Sequence, residues 1–80
     1  MRITLFGKLG EAIGRVISVD DMAGRTISDV RRSLAVQHPR HAADLLSPRV
    51  RACVNDVIVD ENRVIEPDDE LALLPPVSGG

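Results

Sequence analysis

Hydrophobic and polar positions alternate with a period of two at the start of the chain, where Ile3 and Leu5 alternate with Arg2, Thr4 and Phe6 before Gly7. This predicts a strand that turns Ile3 and Leu5 toward the core. Leu9, Ala12 and Ile13 then recur at helical spacing ahead of Gly14, predicting a short helical turn, and Arg15 to Val19 reads as a return strand. Thr26-Ile27-Ser28-Asp29 has the form of a helix start, with Thr26 as N-cap and Asp29 three residues on as its capping-box partner. Ile27, Val30, Leu34 and either Ala35 or Gln37 follow the 3.6-residue period. His38-Pro39 ends the run, because proline cannot continue a helix and disfavours helical angles in the residue before it. The main helix is therefore expected over 27–38.

Ala42 to Leu46 has room for one further turn before Ser47-Pro48 breaks it, and a strand resumes over Val50 to Val54. Asn55-Asp56 is a tight-turn pair between Arg51-Ala52-Cys53-Val54 and Val57-Ile58-Val59, so these runs should form a hairpin. Residues 60–63 loop out, Val64-Ile65 makes a brief apolar contact, Pro67-Asp68-Asp69 is a turn, and Leu71 to Leu74 is the last strand. The order strand, strand, helix, hairpin, strand gives an α+β domain over 1–74, a sheet crossed on one face by one main helix. It is compatible with a β-grasp, or ubiquitin-like, topology. Residues 75–80 are read as an extended tail.

The same alternation leaves three large apolar side chains on the wrong face. If Ile3 and Leu5 point inward, Phe6 does not; if Val57 and Val59 do, Ile58 does not; if Leu71 and Leu73 do, Leu74 does not. Each alone is an ordinary surface hydrophobe. If the first, hairpin and last strands are neighbours, however, Phe6, Ile58 and Leu74 form one partner-docking patch at the root of the tail.

Composition narrows the function classes. Eighty residues with 44% hydrophobic content support one small soluble domain. Phe6 is the only aromatic, the net charge is −2 and no basic run occurs, so neither base stacking nor phosphate attraction is available for nucleic acid. Asp56, Asp60, Glu61, Glu66, Asp68, Asp69 and Glu70 gather late in the chain, either as a solvated turn-rich face or as a docking patch for a basic partner. Cys53 is the only cysteine, which excludes an internal disulfide, fits a cytoplasmic setting and suits a small buried hydrophobe. No apolar run approaches the ~20 residues of a membrane span, and the first residues read as a strand rather than a signal peptide. His38 and His41 flank a proline far from Cys53, so they are expected as surface residues and not as a metal site. Gly7-Lys8-Leu9-Gly10 lacks the spacing of a phosphate loop, and nothing orients a Ser-His-Asp or Cys-His set. No bound cofactor is expected, and no catalysis by the domain alone.

That leaves Pro75-Pro76-Val77-Ser78-Gly79-Gly80, with Gly80 read as the chain's end. Pro75 and Pro76 stiffen the root of this segment, whereas Gly79 and Gly80 carry no Cβ and can thread a narrow channel. Six residues at about 3.3 Å each span about 20 Å, enough to enter a docked partner's active site. Gly-Gly by itself is common at frayed ends. In a domain without catalytic groups, however, the terminal carboxylate is the most distinctive chemistry. A carboxylate is a poor acyl donor until activated. Adenylation by an ATP-using partner would supply AMP as leaving group, after which a sulfur nucleophile attacks the Gly80 carbonyl unobstructed by side chains.

From Ile3 to Gly80 the chain resembles the small subunits of molybdopterin synthase, sulfur-carrier proteins of the β-grasp fold. The resemblance rests on Leu5-Phe6-Gly7-Lys8-Leu9-Gly10-Glu11-Ala12-Ile13-Gly14, on Val54-Asn55 with the hairpin strand, and on Pro67-Asp68-Asp69-Glu70-Leu71-Ala72-Leu73-Leu74-Pro75-Pro76-Val77-Ser78-Gly79-Gly80. The Pro-Pro-Val lead-in separates these from thiamine sulfur carriers, which share the fold and the Gly-Gly end. The resemblance implies that an ubiquitin-activating-like adenylyltransferase activates Gly80 with ATP, and that a desulfurase or rhodanese-type donor supplies sulfur for a thiocarboxylate. Pro75, Pro76, Val77, Ser78 and Gly79 then thread into the large synthase subunit, where sulfur passes to cyclic pyranopterin monophosphate within a heterotetramer. Phe6, Ile58 and Leu74 fall at partner-contact positions. One departure is that Leu73 and Leu74 stand where aromatics are common. Rival readings are a carrier for tRNA thiolation, thiamine or cysteine, a modifier of protein lysines, and an interaction module whose tail does no chemistry.

Overall fold

A computed structural model of the chain describes residues 1–76. The expectations placed on Val77, Ser78, Gly79 and Gly80 lie outside the described residues. In chain order the elements are β1 (Arg2–Leu5), α1 (Gly7–Ile13), β2 (Val16–Ser18), α2 (Ile27–Gln37), a 3-10 turn (Pro39–His41), α3 (Ala42–Leu45), β3 (Arg51–Val54), β4 (Val57–Val59) and β5 (Leu71–Leu74).

The strands form one mixed sheet in the order β2-β1-β5-β3-β4. β1 and β5 pair in parallel at its centre, and the other neighbours are antiparallel. Register follows the apolar alternation. Leu5, Leu73, Ala52 and Val59 form one cross-strand row, and Ile3, Leu71, Val54 and Val57 form the next. Ile3, Leu5, Leu71 and Leu73 are buried against Ile27, Val30 and Leu34 of α2, with Leu45, Val50 and Ile65 closing the core. A one-residue slip in β5 would turn Leu71 and Leu73 to solvent, so burial itself holds the register. This is the α+β, ubiquitin-like β-grasp, a mixed sheet crossed by one main helix.

Helix α2 begins where its N-cap chemistry directs. The Asp29 amide donates to Thr26 Oγ1 at 3.2 Å, and the Thr26 amide donates back to Asp29 Oδ2 at 3.1 Å, satisfying two N–H groups that a helix start leaves open. It ends at Gln37, with His38 as C-cap donating to Leu34 O at 2.8 Å, one residue short of the expected 27–38. Of the two alternatives at its end, Ala35 is buried and Gln37 exposed. The hairpin turn is as the sequence suggests: Asn55 (φ 50°) and Asp56 (φ 68°) both take the left-handed angles a two-residue turn needs.

Three expectations shift. Helix α1 starts at Gly7 rather than near Leu9. Val57 shares its row with buried Val54 but is 61% exposed, because β4 is the sheet edge. Cys53 is half-buried rather than buried, since the alternation that buries Ala52 and Val54 turns it to the face without the helix. Among the described residues no helix is long and apolar enough to cross a membrane, and no group of three or more His, Cys, Asp or Glu side chains is placed to hold a metal ion.

Candidate functional site

The tail leaves from the middle of the sheet. β5 is bonded on both sides, and past the end of β1 the Phe6 amide still donates to Leu73 O at 3.2 Å. Pro75 then lies on Gly7. Gly7 has φ +63°, and a Cβ there would sit 2.9 Å from Pro75 Cβ, so the missing side chain lets the proline pack against the start of α1. Pro75 and Pro76 are exposed.

The open face of the sheet lies beside this root. Thr4, Ala72, Cys53 and Ile58 form one row across β1, β5, β3 and β4. In the next row Leu74 faces Arg51, and the β1–β5 register continues to place Phe6 beside Leu74. Phe6 is 47% and Ile58 53% exposed, while Leu74 and Cys53 are half-buried. The structure thus brings Phe6 and Leu74 together directly. Ile58 is not their immediate neighbour, because β3 intervenes, and Ala72 and Cys53 fill the gap with small side chains. A shallow depression between Phe6, Cys53, Ala72 and Leu74 reaches Asp56 and Glu70 at the end away from the tail. Apolar surface at Phe6, Leu74 and Ile58 thus lies on the side of the sheet without the helix, interrupted by Thr4 and Arg51.

Leu73 is fully buried and belongs to the core, whereas Leu74 is half-buried on the face without the helix.

Beside the tail root runs a groove of about 530 Å³, between Lys8 and Leu9 of α1 on one side and Arg49 and Val50 on the other, with Pro75 and Pro76 at the root. Its outer wall, residues 45–50, is held by Arg31, which sequence reading missed. Arg31 is 3% exposed, donating from Nε to Leu45 O at 2.7 Å, from Nη1 to Val50 O at 2.8 Å and from Nη2 to Ser47 O. Its charge meets Glu61 Oε2 at 3.0 Å. A signal was present: Arg31 falls on the apolar stripe of Ile27, Val30, Leu34 and Ala35, where a charged residue must find partners.

A second network braces the far end of the open face. Asn55 Nδ2 donates to Asp69 Oδ1 and the Glu70 amide donates to Asn55 Oδ1, each at 2.9 Å, fastening the hairpin turn to the loop before β5. The Glu66 amide, at 2.8 Å from Asp69 Oδ2, holds that carboxyl below the usual carboxylate range, helped by Asn55 and by Arg63 at 3.2 Å and opposed by burial. Val54-Asn55 and Pro67-Asp68-Asp69, distant in sequence, therefore belong to one joint.

Several known proteins are similar to this chain. The molybdopterin synthase sulfur carrier subunit of Escherichia coli is 28% identical over 80 residues, all of this chain and 99% of that protein. The crystal structure of the small archaeal modifier protein SAMP1 from Haloferax volcanii superposes with a TM-score of 0.81 at 30% identity, covering 99% of this chain and 97% of that one. The solution structure of SAMP1 from Methanosarcina acetivorans gives a TM-score of 0.80 over 99% and 94% of the two chains, and at 23% identity it supports the fold alone. A model of the ThiS family matches residues 3–80, which takes in both rows of the open face, the groove and the whole tail, and the chain belongs to the ThiS family.

Proposed function

We propose that this protein is a sulfur carrier of molybdenum cofactor biosynthesis, the small, sulfur-donating subunit of a molybdopterin synthase. The observation that carries the reading is the tail root: a central, doubly paired strand runs into Pro75-Pro76 beside an exposed apolar strip, in a family whose E. coli relative is named for sulfur carriage. Phe6, Ile58 and Leu74 dock the partner, Pro75 to Gly79 thread its active site, and Gly80 carries the chemistry. A Gly80 carboxylate oxygen attacks the α-phosphorus of ATP in a ubiquitin-activating-like adenylyltransferase, and pyrophosphate leaves. The terminal persulfide sulfur of a desulfurase or rhodanese-type donor then attacks the acyl carbon and AMP leaves; a thiol cleaves the S–S bond of the resulting acyl disulfide, forming a disulfide with the donor cysteine and releasing the thiocarboxylate. Within the large synthase subunit that sulfur passes to cyclic pyranopterin monophosphate. The domain needs no bound cofactor for this role, and the setting is cytoplasmic.

Likeness to SAMP1 of H. volcanii, a protein named as a modifier, supports a second reading in which the activated Gly80 is attached to protein lysines. Incubation with the adenylyltransferase, ATP and a sulfur source, followed by intact mass, tests the carrier chemistry: the chain gains the mass of sulfur replacing oxygen. Deletion of Gly80 abolishes the gain and leaves the fold intact. Sulfuration of the truncated chain would sink the mechanism. Co-purification of a large synthase subunit, against recovery of lysine-linked conjugates, separates the two readings.

A further inference from the structure

We propose that the groove between α1 and residues 45–50 is a second contact surface of the carrier, and that it receives an acidic segment with an apolar side chain from the adenylyltransferase. The inference rests on the proposed function and adds the chemistry of the partner. Leu9 and Val50, both 5% exposed, form an apolar floor, while Lys8 and Arg49 stand exposed at the rim. Neither cation makes an ion pair among the described residues, and Asp44 is the one carboxylate in the lining. Two free cations against one anion favour a negatively charged visitor. The wall is already in place, because Arg31 fixes the carbonyls of Leu45, Ser47 and Val50, so a visitor pays little to order it.

Position sets the occupant. The groove is lined by Pro75 and Pro76 and shares Phe6 with the depression on the open face, so a protein that draws the tail into its active site meets both surfaces. Adenylation precedes every later step, which makes the adenylyltransferase the first protein to do so. The apolar strip then supplies contact area, and the groove adds a charged element that fixes the direction of approach.

The test is ATP-dependent adenylation of the full chain by the adenylyltransferase, followed by pyrophosphate release at several salt concentrations. The double variant Lys8→Glu/Arg49→Glu should raise KM for the carrier about tenfold or more with kcat unchanged, and its KM should lose most of the wild-type salt dependence. Asp44→Asn should lower KM. All three sites are exposed, so thermal midpoints stay close to wild type and a fold defect is recognised at once. An unchanged KM for the double variant overturns the proposal. So does a KM that falls for Lys8→Glu/Arg49→Glu and rises for Asp44→Asn, which would mean a basic visitor. Both of those results leave the sulfur-carrier reading standing. A wild-type chain that is never adenylated refutes that reading instead.

Discussion

Replacing Arg31 by methionine keeps an unbranched apolar stem in the core and removes the guanidinium. Three carbonyls lose their donor. Leu45 and Val50 are buried residues, whereas Ser47 is half-buried and can find water. Each buried acceptor left unsatisfied costs about 1–3 kcal/mol, giving about 2–6 for two, and release of the guanidinium from its own desolvation lowers the expectation to about 2–4 kcal/mol. A domain of 80 residues has about 4–12 kcal/mol of stability in total, so the variant folds with little to spare. At about 4–8 °C per kcal/mol, the thermal midpoint falls by about 10–30 °C. Glu61→Gln is the control. Its side chain is 50% exposed, so loss of the ion pair with Arg31 kept should cost less than about 1 kcal/mol. Urea unfolding of both variants decides between carbonyl satisfaction and charge pairing. Equal losses in the two, or an Arg31→Met cost below about 1 kcal/mol, would refute the assignment of the clamp to the three carbonyls.

Ile58→Asp should weaken complex formation with the large synthase subunit about tenfold or more, and because the side chain already faces solvent the thermal midpoint should stay nearly unchanged; calorimetric titration and a melting curve check both halves, and a large loss of stability would mean that Ile58 is structural. Asp29 has its carboxyl held down to about 2, from 3.8, chiefly by the Thr26 amide and then by Arg32. Its folded value is the lower one, so its contribution is fully present above about pH 4 and fades as the pH falls toward 2. The difference in urea midpoint between wild type and Asp29→Asn should accordingly shrink across that window; a difference that stays constant from pH 6 to pH 2 would contradict it.

Local chemistry was legible in the sequence, and long-range pairing was not. Thr26 and Asp29 define a helix start within four residues, and Asn55-Asp56 define a turn within two, because the partners of each hydrogen bond lie close in the chain. That Phe6, Ile58 and Leu74 turn to the face without the helix followed from a period of two. Their mutual arrangement depended on the order β1-β5-β3-β4, which no local pattern encodes, and so the strand between Leu74 and Ile58 came only with the structure. Cys53 was misplaced for a related reason: residue type suggests burial, but the register of β3 against Leu71 and Leu73 decides which face it takes. Arg31 and the Asn55–Asp69 joint escaped because their partners lie 14 or more positions away in sequence.

The parallel pairing of β1 with β5 has a mechanical consequence. The two strands run side by side in the same direction, so traction on the tail against an anchored N-terminal end loads their hydrogen bonds in shear, all together. The Met1 amine, bonded to Val19 O at 2.8 Å, helps to tie that end down. An antiparallel hairpin pulled from its open end would unzip one bond at a time. A pull along the C-terminal direction of β5 thus meets the sheet along the axis in which it is hardest to tear.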